Sequence, residues 1–158
     1  MARVNRNEFI FQSPEITILF LAVVARAKKK YSFSIRQFVV MSNHIHFIIR
    51  PGRDENLSRI MQWILSVFAV AYNRELGYVG HVWRDRFKSR VIETRQQLVS
   101  TFNYIARNPV NAGMVSAPVD YEHSGIRHIV EGNYSVVDPP DDLVHLILRE
   151  YRHILLDG

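Results

Sequence analysis

Between Asn56 and Gly77 the apolar residues Leu57, Ile60, Met61, Ile64, Phe68 and Ala71 fall at the three- and four-residue steps of a helix with one buried face. Asn56 caps its start and Gly77 stops it near Leu76. Trp63, Phe68 and Tyr72 read as packing on this main core helix. An earlier apolar run, Ile16 to Ala27, follows Ser13-Pro14-Glu15, which supplies a capping hydroxyl, a proline at the first helical position and an acid in the first turn. That helix is expected to run to about Lys30. A third begins at the capping box Thr94-Arg95-Gln96-Gln97 and is expected to reach about Arg107, where Asn108-Pro109 ends it. Leu98, Val99, Phe102, Ile105 and Ala106 share its apolar side.

The period changes between Tyr31 and Arg50, which is closed by Pro51-Gly52. Phe38 to Arg50 is apolar and rich in β-branched residues, so it reads as a buried strand pair or one bent strand. A loop is expected over Gly77 to His81. If the following Trp83 to Glu93 is extended, Arg84, Arg86, Lys88 and Arg90 share one face while Trp83, Phe87 and Val91 take the other. Asp138-Pro139-Pro140-Asp141-Asp142 opens a last helix to about Leu156.

Length and composition narrow the class. A chain of 158 residues reads as one domain able to bury a core without staples. It has no cysteine, which removes disulfides, thiolate metal sites and thiol nucleophiles together. Ile16 to Ala27 is too short to span a bilayer and Met1 to Gln12 is no signal peptide, so the expectation is a cytoplasmic, nucleoid-associated protein with no membrane partner. Charge is more telling when divided. Residues 1–113 hold 17 Lys and Arg against 7 Asp and Glu, whereas residues 114–158 hold 3 against 8. The basic body suits a polyanion and the acidic tail does not.

Candidate chemistry lies in three places. His44 and His46 alternate with Ile45, so on a strand both imidazoles point one way with Cα atoms roughly 7 Å apart, close enough to converge on one metal ion. Tyr104 lies nearly opposite the apolar stripe of its helix, and Asn108 stands one turn later on the same face. Arg84, Arg86, Lys88 and Arg90 match phosphate spacing along a single strand, although a cationic edge strand protected from aggregation has the same pattern. Lys28, Lys29 and Lys30 suit either the negative end of a helix dipole or phosphate. A tyrosine oxygen is a poor nucleophile at its usual pKa of about 10. Beside a metal that polarises a phosphodiester it can attack phosphorus and displace a sugar hydroxyl.

Val40-Met41-Ser42-Asn43-His44-Ile45-His46-Phe47, then Gly80 to Ser89, then Tyr104 to Val115, with Asp120-Tyr121 and Ser124 following, closely resemble the single-tyrosine, IS200-like transposases of the HUH endonuclease superfamily. Within that group the REP-associated tyrosine transposases are the most similar. The resemblance covers about Arg3 to Ile129. It implies an α+β ferredoxin-like sandwich, with an antiparallel sheet and helices on one face, over residues 1–130. An acidic helical extension over residues 131–158 lies outside the matched motifs. It further implies single-stranded DNA hairpins as substrate, Mg²⁺ or Mn²⁺ as cofactor and a 5′-phosphotyrosine intermediate. By position His44 and His46 match the metal-binding pair, Tyr104 the nucleophile and Asn108 the third, helix-borne ligand. Monomer and homodimer both remain open. Family members carry more residues ahead of Arg3-Val4-Asn5-Arg6, so a shortened central first strand is expected.

Three rivals are weighed against this reading. A histidine-triad nucleotide hydrolase needs a third histidine where Ile48 stands. A non-catalytic descendant would bind hairpins without cutting them. A metal-free nucleic-acid-binding module would leave His44 and His46 incidental.

Overall fold

The computed structural model describes residues 1–5 and 8–156, with side chains up to Tyr151. Its contacts form two compact units. The first comprises Met1–Ser34, Val40–His46 and Arg50–Ser89, and the second Ile35–Val39, Phe47–Ile49 and Arg90–Gly158. No helix among the described residues is long and apolar enough to cross a membrane.

In the first unit, helix α1 (Pro14–Lys30) starts where the Ser13 hydroxyl accepts from the Ile16 N–H at 3.3 Å. Helix α2 (Leu57–Leu76) starts where Asn56 Oδ1 accepts from Ser58 and Arg59. Gly77, at φ 64°, stops α2 in the left-handed conformation that glycine adopts at little cost. The two helices pack through Phe20 and Phe68, whose rings meet edge to face at 5.2 Å, and Phe11 stacks on Phe68 at 5.5 Å. Trp83 closes the cluster at 5.6 Å from Phe68 and donates its indole N–H to Leu65 O at 2.8 Å.

The apolar stretch is a strand pair, β2 (Phe33–Met41) and β3 (His44–Pro51), joined by the two-residue turn Ser42-Asn43. The first strand, β1 (Ala2–Arg3), is two residues long and pairs antiparallel with β3, Ala2 opposite Ile45 and Arg3 opposite His44. The sheet order is β1-β3-β2. On the outer edge of β1 the chain from Val82 to Lys88 runs back along it. Asn5 N–H donates to Val82 O at 2.8 Å, Arg84 N–H to Arg3 O at 3.0 Å and Lys88 N–H to Met1 O at 2.9 Å. With this segment as an irregular fourth strand, β1 is central and the arrangement is the β-α-β-β-α-β ferredoxin-like order.

The expectation of a regular extended strand over Trp83 to Glu93 is corrected here. Only Trp83 makes a bridge, to Val4. Arg84 faces Arg3 and Lys88 faces Met1, so the outer segment carries two residues too many for a continuous ladder, and the bulge breaks the strict alternation of faces. Arg84, Arg86, Lys88 and Arg90 are all exposed, but Val91, expected on the apolar side, is 77% exposed.

In the second unit helix α3 (Arg95–Asn111) begins with the expected box, Gln97 N–H on the Thr94 hydroxyl and Gln97 Oε1 on the Thr94 N–H. It does not end at Arg107. Pro109 lies inside it, and its last turn is closed by Ala112 N–H on Asn108 O and Met114 N–H on Pro109 O. Short α4 (Gly125–Val130) follows, and Ser124, just before it, bridges Val39 of β2. Gly125 is required there, since a Cβ would collide with Gln37 Oε1 and lie 3.0 Å from the Phe38 nitrogen. Helix α5 (Asp142–Leu156) reaches Leu156 as expected. The acidic stretch before it is tied to β2: Asp138 Oδ2 accepts from the Ile35 N–H at 2.7 Å and Asp141 pairs with Arg36 at 2.6 Å. Tyr151 of α5 donates to Asn103 of α3 at 2.7 Å.

Candidate active site

Strand geometry places the two histidines as their spacing predicts. Ile45 between them is fully buried, while His44 and His46 are half-buried on the opposite face with ring centroids 5.1 Å apart and planes at 81°. His44 Nδ1 lies 2.8 Å from Asn43 Oδ1. With that carbonyl oxygen as acceptor, Nδ1 carries the proton and Nε2 presents its lone pair, the tautomer that an orienting partner fixes in metal-ligating histidines. Asn43 thus orients the His44 ring, a contact not expected from the sequence. Its signal was a carboxamide directly before a histidine at the first residue of a strand.

Electrostatics keep both rings neutral. Burial lowers the pKa of His44, helped by the nearby Arg3 and the N-terminal ammonium. His46 is pushed down to about 4, by burial first and then by His44, the N-terminal ammonium and Arg3. A neutral imidazole pair opening to one side suits a divalent cation. Among the described residues no group of three His, Cys, Asp or Glu side chains could hold a metal. The carbonyl end of a carboxamide is also a ligand for a hard cation.

Helix α3 carries Tyr104 and Asn108 in the second unit. Leu98, Phe102, Ile105 and Ala106 are buried as expected, and Tyr104 is 58% exposed on the other side. Because the helix continues past Pro109, Asn108 keeps its helical register. Its side-chain N–H donates to Tyr104 O at 2.9 Å, so the residue's Oδ1 is the end not used in that bond. The structure thus joins His44 with His46 in one unit and Tyr104 with Asn108 in the other. Tyr121, another hydroxyl in the matched motifs, is buried, and burial raises its pKa to about 12, away from the range in which a phenol is activated.

The basic residues fall on exposed surface, except Lys28, which is half-buried. Arg84, Arg86 and Lys88 follow the anchored Trp83, and Arg84 has Asp85 at 3.7 Å. Arg90 lies two residues on, in the second unit. Lys28, Lys29 and Lys30 form the last turn of α1, with Lys30 Nζ 5.6 Å from the Tyr31 ring centroid.

Comparison with known proteins bears on the family and the fold. The family model described as "Transposase IS200 like" matches residues 1–108. The chain is also similar to a solved structure described as the REP-associated tyrosine transposase bound to a REP hairpin. The TM-score is 0.70 at 23% identity, over 89% of this chain and 82% of that one. That likeness establishes a shared fold. No curated protein matches the chain.

Proposed function

This chain belongs to the IS200-like transposase family, and from that premise we propose that it nicks and rejoins single-stranded DNA at hairpins through a covalent 5′-phosphotyrosine on Tyr104. The observation that carries the reading is the neutral His44–His46 pair, oriented to one side of β3 with Asn43 fixing a tautomer. His44, His46 and the Oδ1 of Asn108 would hold Mg²⁺ or Mn²⁺, and the chemistry the ion supplies when bound is polarisation of a phosphodiester. Tyr104 contributes the nucleophile. Its phenolic oxygen bonds to phosphorus, the bond from phosphorus to the 3′ oxygen breaks, and the phenol's proton is balanced by the one gained by the released 3′ hydroxyl. The 5′ phosphate stays on the tyrosine, so a second 3′ hydroxyl can reverse the attack and be joined. Arg84, Arg86, Lys88 and Arg90, with Lys28 to Lys30, hold the DNA by its phosphates. A hairpin substrate is supported by the similar protein of known structure, which is bound to a REP hairpin.

A second reading, a hairpin-binding descendant that no longer cuts, is favoured by one observation. Two imidazoles and an amide hold a cation more weakly than a site with a carboxylate, and among the described residues no three-membered His, Cys, Asp or Glu group exists. One experiment separates the two. The protein is incubated with hairpin oligonucleotides bearing single-stranded flanks, with and without Mn²⁺, then denatured and weighed by mass spectrometry. A covalent adduct that requires the metal is expected. Tight binding with no adduct selects the second reading.

A further inference from the structure

The strongest chemistry beyond that reaction lies where α1 ends and α2 begins, within the first unit, in a cluster of which the proposed reaction uses Lys30 alone. Tyr31 follows α1 directly and Trp63 lies near the end of the second turn of α2, and their rings meet edge to face at 6.1 Å. Three cations lie over these two rings. Arg26 is 5.9 Å from the Trp63 centroid, Lys30 is 5.6 Å from that of Tyr31, and Arg59 is 6.0 Å from the same ring. The rings are half-buried and the three cations are exposed.

Core packing does not account for this cluster. Phe68 and Tyr72, from the same helix, are buried, whereas Trp63 keeps part of its ring at the surface under a guanidinium. The ring faces hold the cations in place, yet three like charges are gathered there. Among the described residues none of Arg26, Lys30 and Arg59 forms an ion pair, and the neighbouring carboxylate Glu55 accepts from the Ser32 N–H at 2.9 Å. A preordered positive cluster layered on aromatic rings meets two needs of an unpaired nucleotide: phosphate pairs with the charge and the base stacks on the guanidinium or ring plane. A paired base offers no free face to stack. The cluster is also remote from the histidines. β2 starts two residues after Tyr31 and runs nine residues to the turn before His44, about 26 Å along the strand.

We propose that Arg26, Lys30, Tyr31, Arg59 and Trp63 form a second DNA-contacting surface, which takes unpaired nucleotides flanking the hairpin several nucleotides away from the cleaved phosphate. The inference rests on the hairpin-processing reading given above.

The test uses the whole protein, fluorescence anisotropy, and two probes: a blunt hairpin and the same hairpin with an oligothymidine flank. The parent protein binds the flanked hairpin more tightly. Trp63→Ala lowers affinity for the flanked probe about tenfold, the range of one lost base stack, and leaves the blunt hairpin unchanged. Arg26→Gln/Arg59→Gln, two exposed changes that spare the fold, removes the same preference and reduces the log–log salt slope on the flanked probe by about 1.4, roughly 0.7 per lost phosphate contact. Equal losses on both probes assign the cluster to the duplex stem and overturn the inference. So does unchanged binding by the double variant while the parent prefers the flanked probe. A parent protein that binds neither probe ends the hairpin reading itself, and this surface with it.

Discussion

Removing one oxygen from Tyr104 asks the most direct question at the scale of a residue. The ring is 58% exposed on the polar side of α3, so Tyr104→Phe should shift stability by less than about 0.5 kcal/mol in a thermal melt. Hairpin affinity should stay within a few-fold while the covalent adduct disappears. His44→Ala or His46→Ala should also abolish cleavage, but through weaker metal binding, so excess Mn²⁺ restores some activity to them and none to the Phe variant. Nicking by Tyr104→Phe would transfer the nucleophile's role to water and deprive the enzyme of rejoining. His128 gives an independent reading of the core. It is buried against Phe38 at 5.0 Å, its Nδ1 has no hydrogen-bond partner among the described residues, and burial lowers its pKa, with His123 adding to the shift and Glu131 and Glu122 opposing it. Folding therefore favours the neutral ring. Its stabilisation is complete above the unfolded pKa of about 6.5 and is lost as pH falls from there through the lower folded value. His123 and His46 shift the same way, so the diagnostic quantity is a difference. Melting temperatures taken between about pH 7 and pH 5 should fall less for His128→Phe than for the parent, and identical slopes would show that His128 is not buried neutral.

At the scale of elements, Gly125→Ala tests how α4 abuts β2. The added Cβ meets Gln37 Oε1 and the Phe38 nitrogen, and the backbone partner cannot swing away, so a loss of about 1–3 kcal/mol is expected in denaturant unfolding. A neutral result would mean that α4 stands off the strand. The elements legible in the sequence were those with local signals. Ser13, Asn56 and Thr94 cap their helices through their own side chains, and Gly77 ends α2 by its own backbone angle, so each boundary follows from a few neighbouring residues. Of the site, His44 with His46 was legible because strand period alone aligns them. Two features depended on more distant partners. The end of α3 was misplaced because a proline disrupts a helix interior but is tolerated in a last turn closed by the bonds from Ala112 and Met114. The regular strand after Trp83 was expected from alternation, which cannot reveal that Arg84 and Lys88 bond to Arg3 and Met1 with a two-residue bulge between. Nor does the composition of the acidic tail tell that Asp138 and Asp141 are spent on Ile35 and Arg36 of β2.

Over the whole molecule, charge is sorted between the two units. By sequence the first holds 13 Lys and Arg against 6 Asp and Glu, and the second 7 against 9, so the long-range attraction for DNA belongs to the first. Arg84, Arg86 and Lys88 lie in that unit on a segment fixed by Trp83 and by backbone bonds to β1, which holds their charge in place without a helix shaped to read a groove. Binding should accordingly be steeply salt-dependent and should favour flanked or bulged hairpins over blunt duplex. Changing Arg84, Arg86, Lys88 and Arg90 together to Gln should lower the log–log slope of affinity against salt by roughly 3, at about 0.7–0.9 per lost phosphate contact, measured by anisotropy between about 50 and 200 mM salt. All four side chains are exposed, so the melting temperature should move little, which separates lost contacts from lost fold. Asp141→Asn, by contrast, removes a charge already paired with Arg36, so it should cost some stability and leave the salt slope almost unchanged. If the fourfold variant keeps the parent's slope, the phosphates are met elsewhere on the first unit. The exposed arginines of the bulged segment would then act as a solubilising edge, the other role their spacing allows.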